Sequence, residues 1–193
     1  LVENRSQFLA RNLAYPLLFR NYVTTELKTE LEDSAHTLFL SNNITISYLD
    51  ANFPFYNGCP LLPHLSHNDG KKIDISFMYL DKDKKSTTKK PSSSGYGVFV
   101  NSDQNKTNNN CVRKGYWQYD FSKYLTFGTI NTLQLDKTST SILMSKLLSM
   151  PSTKKIFIEP YLKESLGFSN EPKVRFHGCH AVRHDDHIHL EIK

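Results

Sequence analysis

The chain closes on His184-Asp185-Asp186-His187-Ile188-His189-Leu190-Glu191-Ile192, followed by Lys193 alone. Three of the eight histidines of the sequence fall within these nine residues. Ile188, Leu190 and Ile192 alternate with His187, His189 and Glu191, the period of an extended strand whose successive side chains face opposite ways. The apolar set then turns to a core, and His187 and His189 share the other face. Two imidazoles at i and i+2 suit two metal ligands, or one ligand beside one acid/base group. A His-rich surface edge is the plainer reading of this stretch alone, and a second cluster far upstream weighs against it.

That cluster is Pro63-His64-Leu65-Ser66-His67-Asn68-Asp69-Gly70-Lys71-Lys72-Ile73-Asp74-Ile75-Ser76-Phe77-Met78. Its second half alternates as a strand, with Ile73, Ile75 and Phe77 on one face and Asp74 and Ser76 on the other. An aspartate between two isoleucines needs a partner if it is buried. Gly70 can take the positive φ that turns the chain from His67 into the strand, so His67 and Asp74 can converge. His67, Asp74 and His189 together supply two imidazoles and a carboxylate. That set suits a catalytic Zn²⁺, which typically takes three protein ligands and leaves one position for water. His187, one strand repeat from His189, is placed to move protons.

The pairing of His67, Gly70 and Asp74 (H-x-x-G-x-x-x-D) with His187 and His189 (H-x-H) resembles the lysostaphin/D-Ala-D-Ala metallopeptidase superfamily. Within it the chain is most similar to the penicillin-insensitive murein endopeptidases. Lys155-Ile156-Phe157-Ile158-Glu159-Pro160 resembles that family's penultimate strand. The resemblance covers roughly residues 44–80 and 140–193. It implies an α+β fold, a small antiparallel sheet carrying the zinc site with helices around it, and hydrolysis of amide bonds in peptidoglycan cross-link or stem peptides. It also implies zinc on His67, Asp74 and His189, His187 as general base or proton donor, and His184 as a stabiliser of the tetrahedral intermediate. His64 matches a further family histidine. A sister branch draws its base from an acid three residues before the last ligand, here Asp186. In a regular strand Asp186 points away from His187 and His189, so His187 is preferred. Lys72 stands where the endopeptidases tend to carry an acid.

The rest of the chain frames these clusters as one domain, 1–193. Residues 5–40 read as mostly helical, with Phe8, Leu9 and Leu13 at helical spacing and Pro16 as an interruption. Ile44–Asp50 alternates as a strand, and Ser139–Met150 reads as an amphipathic helix marked by Ile142, Leu143, Lys146, Leu147 and Met150 and stopped by Pro151. Ile156–Ile158 is a short strand, Tyr161–Leu166 a short helix, and Lys173–His177 a further strand. About 81–115 is a polar excursion or lid, interrupted by Tyr96-Gly97-Val98-Phe99-Val100. Tyr116-Trp117-Gln118-Tyr119-Asp120-Phe121 is aromatic-dense, which is more often core than a substrate-stacking wall.

Composition bounds the partners. A net charge of +5 and a pI near 9.0 admit a polyanion. Much of the basic excess, however, sits in Asp81–Pro91, a solvated loop, and no nucleic-acid partner is expected. No run approaches the ~18 apolar residues of a membrane span. The chain opens at Leu1 without a charged and then apolar leader, so either a targeting segment has been removed or the sequence is a trimmed piece of the protein. The resemblance implies a periplasmic or extracellular bacterial protein. Cys59, Cys111 and Cys179 contain no C-x-x-C pair. If a disulfide forms, Cys59 and Cys179, which precede the two clusters, are the expected pair, leaving Cys111 free. The Asn4, Asn43 and Asn105 sequons reflect an Asn/Ser/Thr/Lys-rich composition. Two other readings compete. A non-catalytic zinc-containing wall-binding module would need neither His184 nor His187. A metal-dependent phosphodiesterase would need a cationic phosphate frame, and only Arg175 and Arg183 lie near the motif.

Overall fold

The computed structural model describes residues 7–54, 58–59, 61, 65–100 and 111–193. The α+β class expected from sequence is what it contains. Six strands form one sheet in the order β1 (Phe8–Ala10), β2 (Ile46–Tyr48), β3 (Lys72–Ser76), β9 (His187–Ile192), β7 (Thr153–Phe157), β8 (Val174–Arg175). The four central strands run antiparallel, and the two outer pairs, β1 with β2 and β7 with β8, are parallel. A smaller antiparallel sheet joins β4 (Tyr79–Leu80), β5 (Ser86–Thr87) and β6 (Gln134–Leu135).

The apolar face of the large sheet is the core. Ile73 lies opposite Leu190, and Leu190 opposite Ile156, so one row of aliphatic side chains crosses three strands. Onto it pack α2 (Thr25–Asn42), through Leu27, Leu31, Ala35 and Leu38, and α3 (Lys137–Ser149), through Leu143, Met144 and Leu147. Those spacings of three and four residues are what a helix needs to present one stripe to a sheet. Thr24 caps α2 by accepting from Leu27 N at 3.3 Å, and Asn43 ends it in the left-handed region at φ 53°. Asp136 caps α3 by accepting from Ser139 N at 3.0 Å.

Several sequence expectations change. Phe8 and Leu9 are not helical: they form β1, paired in parallel with β2 (Phe8 opposite Ile46), and only Ala14–Leu17 (α1) and Thr25–Asn42 are helix within residues 7–40. A short apolar run has no period long enough to separate strand from helix, and its pairing partner decides. Leu13 is exposed. In α3, Thr140 and Met144 take the core face that Ile142 and Lys146 were expected to share, and those two are only partly buried. Short helix α4 (Pro160–Ser165) and strands β7 and β8 lie within one to three residues of their expected bounds.

Candidate metal centre

The polar face of the sheet is built by register. Asp74 on β3 pairs directly with His189 on β9, Ser76 with His187, and Phe157 on β7 flanks His189 from the other side. His67 arrives from the loop before β3, turned in by Gly70 at φ 73°. His67 Nε2 lies 3.2 Å from His189 Nδ1 and 3.4 Å from Asp74 Oδ1, and His189 Nδ1 lies 2.8 Å from Asp74 Oδ1. Donors about 2.0–2.2 Å from a tetrahedral ion sit about 3.3–3.6 Å apart. The three atoms are thus near the right spacing, and closing on an ion asks the Asp74–His189 contact to open by roughly 0.5 Å.

The orientation of the ligands agrees with a cation site. His67 Nδ1 donates to the Ala51 carbonyl, which aims Nε2 at Asp74 and His189. Two imidazole nitrogens and a carboxylate oxygen therefore converge on one point. A divalent ion held there would satisfy all three. Tyr96 donates to Asp74 Oδ2 at 2.7 Å while its hydroxyl accepts from Asp50 N at 3.1 Å, so the carboxylate is held with Oδ1 turned to the imidazoles. Asp50 in turn takes both arms of Arg20 at 2.6 and 2.7 Å.

Burial lowers His189 to about 4, against the opposing pull of Asp74. Burial also opposes the charged form of His67, but the Asp74 carboxylate overcomes it and raises that group. His187 is likewise pushed up to about 9, because Asp74 and Asp186 outweigh its burial. His184 is held well below its ordinary value by burial and then by His187, His189 and His177, so it is neutral at pH 7.

Asp186 is placed differently from the regular-strand expectation. β9 begins at His187, and the backbone before it bends, so Asp186 Oδ1 accepts from His187 Nδ1 while its Oδ2 accepts from Gly97 N at 2.5 Å. Asp186 therefore orients His187. The Nε2 edge of His187 faces Asp74 Oδ2 at 3.7 Å. His184 is fixed through its backbone: its carbonyl accepts from Glu159 N at 3.0 Å, and its N–H donates to Glu159 Oε1 at 3.3 Å. Glu159 also accepts from Tyr119 OH at 2.7 Å.

A cavity of about 570 Å³ opens onto this centre. His189 and His184 line it, as do His177, Trp117 and Phe121, whereas fully buried His187 lies behind the wall. The ring centroids of His184 and His187 are 4.9 Å apart. The structure thus brings together His67, Asp74, His184, His187 and His189, five of the residues picked from sequence; His64 lies outside the described residues.

The chain matches no protein-family model and no curated protein.

Sequence reasoning missed Tyr96, the Asp186–His187 pair and His177, whose ring stacks at 17° on that of His189. Tyr96 had a signal: it opens the one apolar run inside a polar stretch. The 81–115 segment, of which 101–110 lies outside the described residues, is accordingly more than a lid, since Lys90–Gly97 is largely buried and carries two supports of the site. Gly97 is required there at φ 85°, because a Cβ would stand 2.3 Å from the Ser122 carbonyl. The cysteine expectation is corrected. Cys111 pairs with Cys179, with Cα atoms 5.1 Å apart, and Cys59 is free and exposed. The disulfide joins the segment leading into the aromatic stretch to the loop that carries His177 and His180, a proximity created by tertiary folding across 68 residues.

Proposed function

We propose that the protein is a zinc-dependent peptidase that hydrolyses amide bonds in peptidoglycan cross-link or stem peptides. The observation that carries this reading is the convergence of His67 Nε2, Asp74 Oδ1 and His189 Nδ1, with His189 and His184 on the wall of an open cavity and His187 beside them. These three atoms would hold the ion, which supplies a Lewis acid for the scissile carbonyl and an activated water. The chain's other groups handle orientation and protons. Tyr96 and the Ala51 carbonyl hold the ligands in one tautomer and one rotamer. His184, neutral and on the cavity wall, can hydrogen-bond the carbonyl or the departing nitrogen. His187, oriented by Asp186, keeps a proton behind the wall, its ring centroid 4.9 Å from that of His184. We further propose that the protein works outside the cytoplasm, where a disulfide such as Cys111–Cys179 persists.

The test is metal analysis of the purified protein, followed by mass spectrometry of purified peptidoglycan incubated with it. One zinc per chain and new peptide termini at a cross-link or stem position are expected. Zinc bound with no cleavage of any wall peptide transfers the reading to a binding module. Failure to bind zinc ends both.

A further inference from the structure

We propose that the aromatic wall of the cavity is a saccharide subsite, so that the substrate is a peptide still attached to its sugar. This inference deepens the peptidase reading and rests on it for the peptide half of the ligand. The wall is one face of the 3₁₀ segment Trp117–Thr126. Trp117 lines the cavity and is 73% exposed, although burying so large a side chain would be strongly favourable. Phe121 lies beside it with ring centroids 6.0 Å apart, and Tyr124, also exposed, follows Phe121 at 6.1 Å. The result is a row of three rings, of which Trp117 and Phe121 face the cavity.

The side chains between these rings anchor the segment. Tyr119 donates to Glu159, its carbonyl accepts from Arg183 N at 2.9 Å, and Ser122 packs over Gly97. Glu159 is the residue that also holds His184. The wall is therefore mounted on the support of the site itself, and its exposure is preorganised for a ligand.

The rest of the lining selects the class of ligand. Beside the aromatic faces stand Ser66 and Gln118, which offer uncharged hydrogen-bonding groups, and the imidazoles of His177 and His180, among the apolar Leu65, Ala181 and Val182. A wholly apolar side chain would have no use for these groups, and no Asp, Glu, Lys or Arg stands among the described lining residues to pair with an ionic one. A pyranose uses both kinds of surface: its C–H face meets the negative face of an aromatic ring, and its hydroxyls meet neutral donors and acceptors.

Trp117 is the only tryptophan of the sequence, so it reports on its own contact. Titration with an N-acetylglucosamine oligomer should shift its fluorescence to shorter wavelength, with or without zinc. Phe121→Ala should weaken that binding about five- to tenfold. Trp117→Ala, and to a lesser degree Trp117→Phe, should raise KM more for a sugar-bearing stem peptide than for the same peptide without sugar. The inference is overturned if the oligomer leaves the fluorescence unchanged at millimolar concentration and the variants affect both peptides equally. It is also overturned if a sugar-free apolar peptide shifts Trp117 and the oligomer does not. A fluorescence shift without any peptide hydrolysis upholds the saccharide subsite and removes the peptidase reading, so the two fail separately.

Discussion

His187 and His189 are neighbours on one face of one strand, yet their surroundings give them opposite tasks. Burial holds His189 neutral with Nδ1 aimed at Asp74, while Asp186 and Asp74 keep a proton on His187. His189→Ala should therefore lose zinc, measured by metal content after dialysis, because two protein ligands remain. His187→Ala should retain zinc and the fold but lower turnover by about 10²–10⁴-fold. Since Asp186 acts through His187, adding Asp186→Asn to His187→Ala should cost little more. Loss of activity in Asp186→Asn with His187→Ala nearly intact would instead make Asp186 the base. Tyr96→Phe removes the donor to Asp74 Oδ2 without emptying the space. Outer-shell partners of this kind are worth about 10–100-fold in metal affinity, and zinc competition against a chelator should read a loss of that size.

At the scale of elements, the segment from Lys90 to Gly97 is decisive, because it brings both the Tyr96 hydroxyl and the Gly97 N–H to the polar face of the sheet. It also buries Lys90, whose Nζ, among the described residues, reaches the Phe77 carbonyl at 3.5 Å and the face of Tyr79 at 5.9 Å. Burial, with Arg11 adding to it, lowers this ammonium to about 8. Its value in the unfolded chain is about 10.4, so between about pH 8 and 10.4 the unfolded state binds more protons and stability rises with pH. Below that window the folded state carries the full penalty of a buried charge. Lys90→Met should stabilise the protein at pH 7 by on the order of 2 kcal/mol. The gain over the parent should shrink as pH climbs through the window, as read by urea unfolding at a series of pH values. An unchanged difference across the window would mean that Lys90 keeps its ordinary value.

Across the whole molecule, the Cys111–Cys179 bridge ties the entrance of the aromatic wall to the loop bearing His177 and His180, which line the same cavity. A loop of 68 residues closed in the unfolded chain corresponds to about 4 kcal/mol of stability in the chain-entropy account. Cys111→Ser or reduction should lower the unfolding free energy by roughly 2–4 kcal/mol, whereas Cys59→Ser should leave it nearly unchanged. Thiol titration of the denatured, unreduced protein should find one free thiol, and peptide mapping should place it on Cys59. Three free thiols, or a label on Cys111, would contradict the pairing.

What the sequence determined by itself is the set of features encoded in short-range order. The alternation of His187–Ile192 and of Ile73–Phe77 fixes which side chains share a face, since one residue of slip would turn Asp74 and His189 into the core. The candidate ligands Asp74 and His189 and the helix stop at Pro151 were legible for that reason, while the α+β class came from the family resemblance. Strand β1 was not, because Phe8-Leu9-Ala10 pairs with a segment 38 residues away and carries no period of its own. The bend that turns Asp186 onto His187, the donation from Tyr96, the Cys111–Cys179 pair and the exposure of Trp117 were decided by tertiary structure alone. Each depends on segments distant in sequence meeting in space, and local propensity carries no information about that meeting.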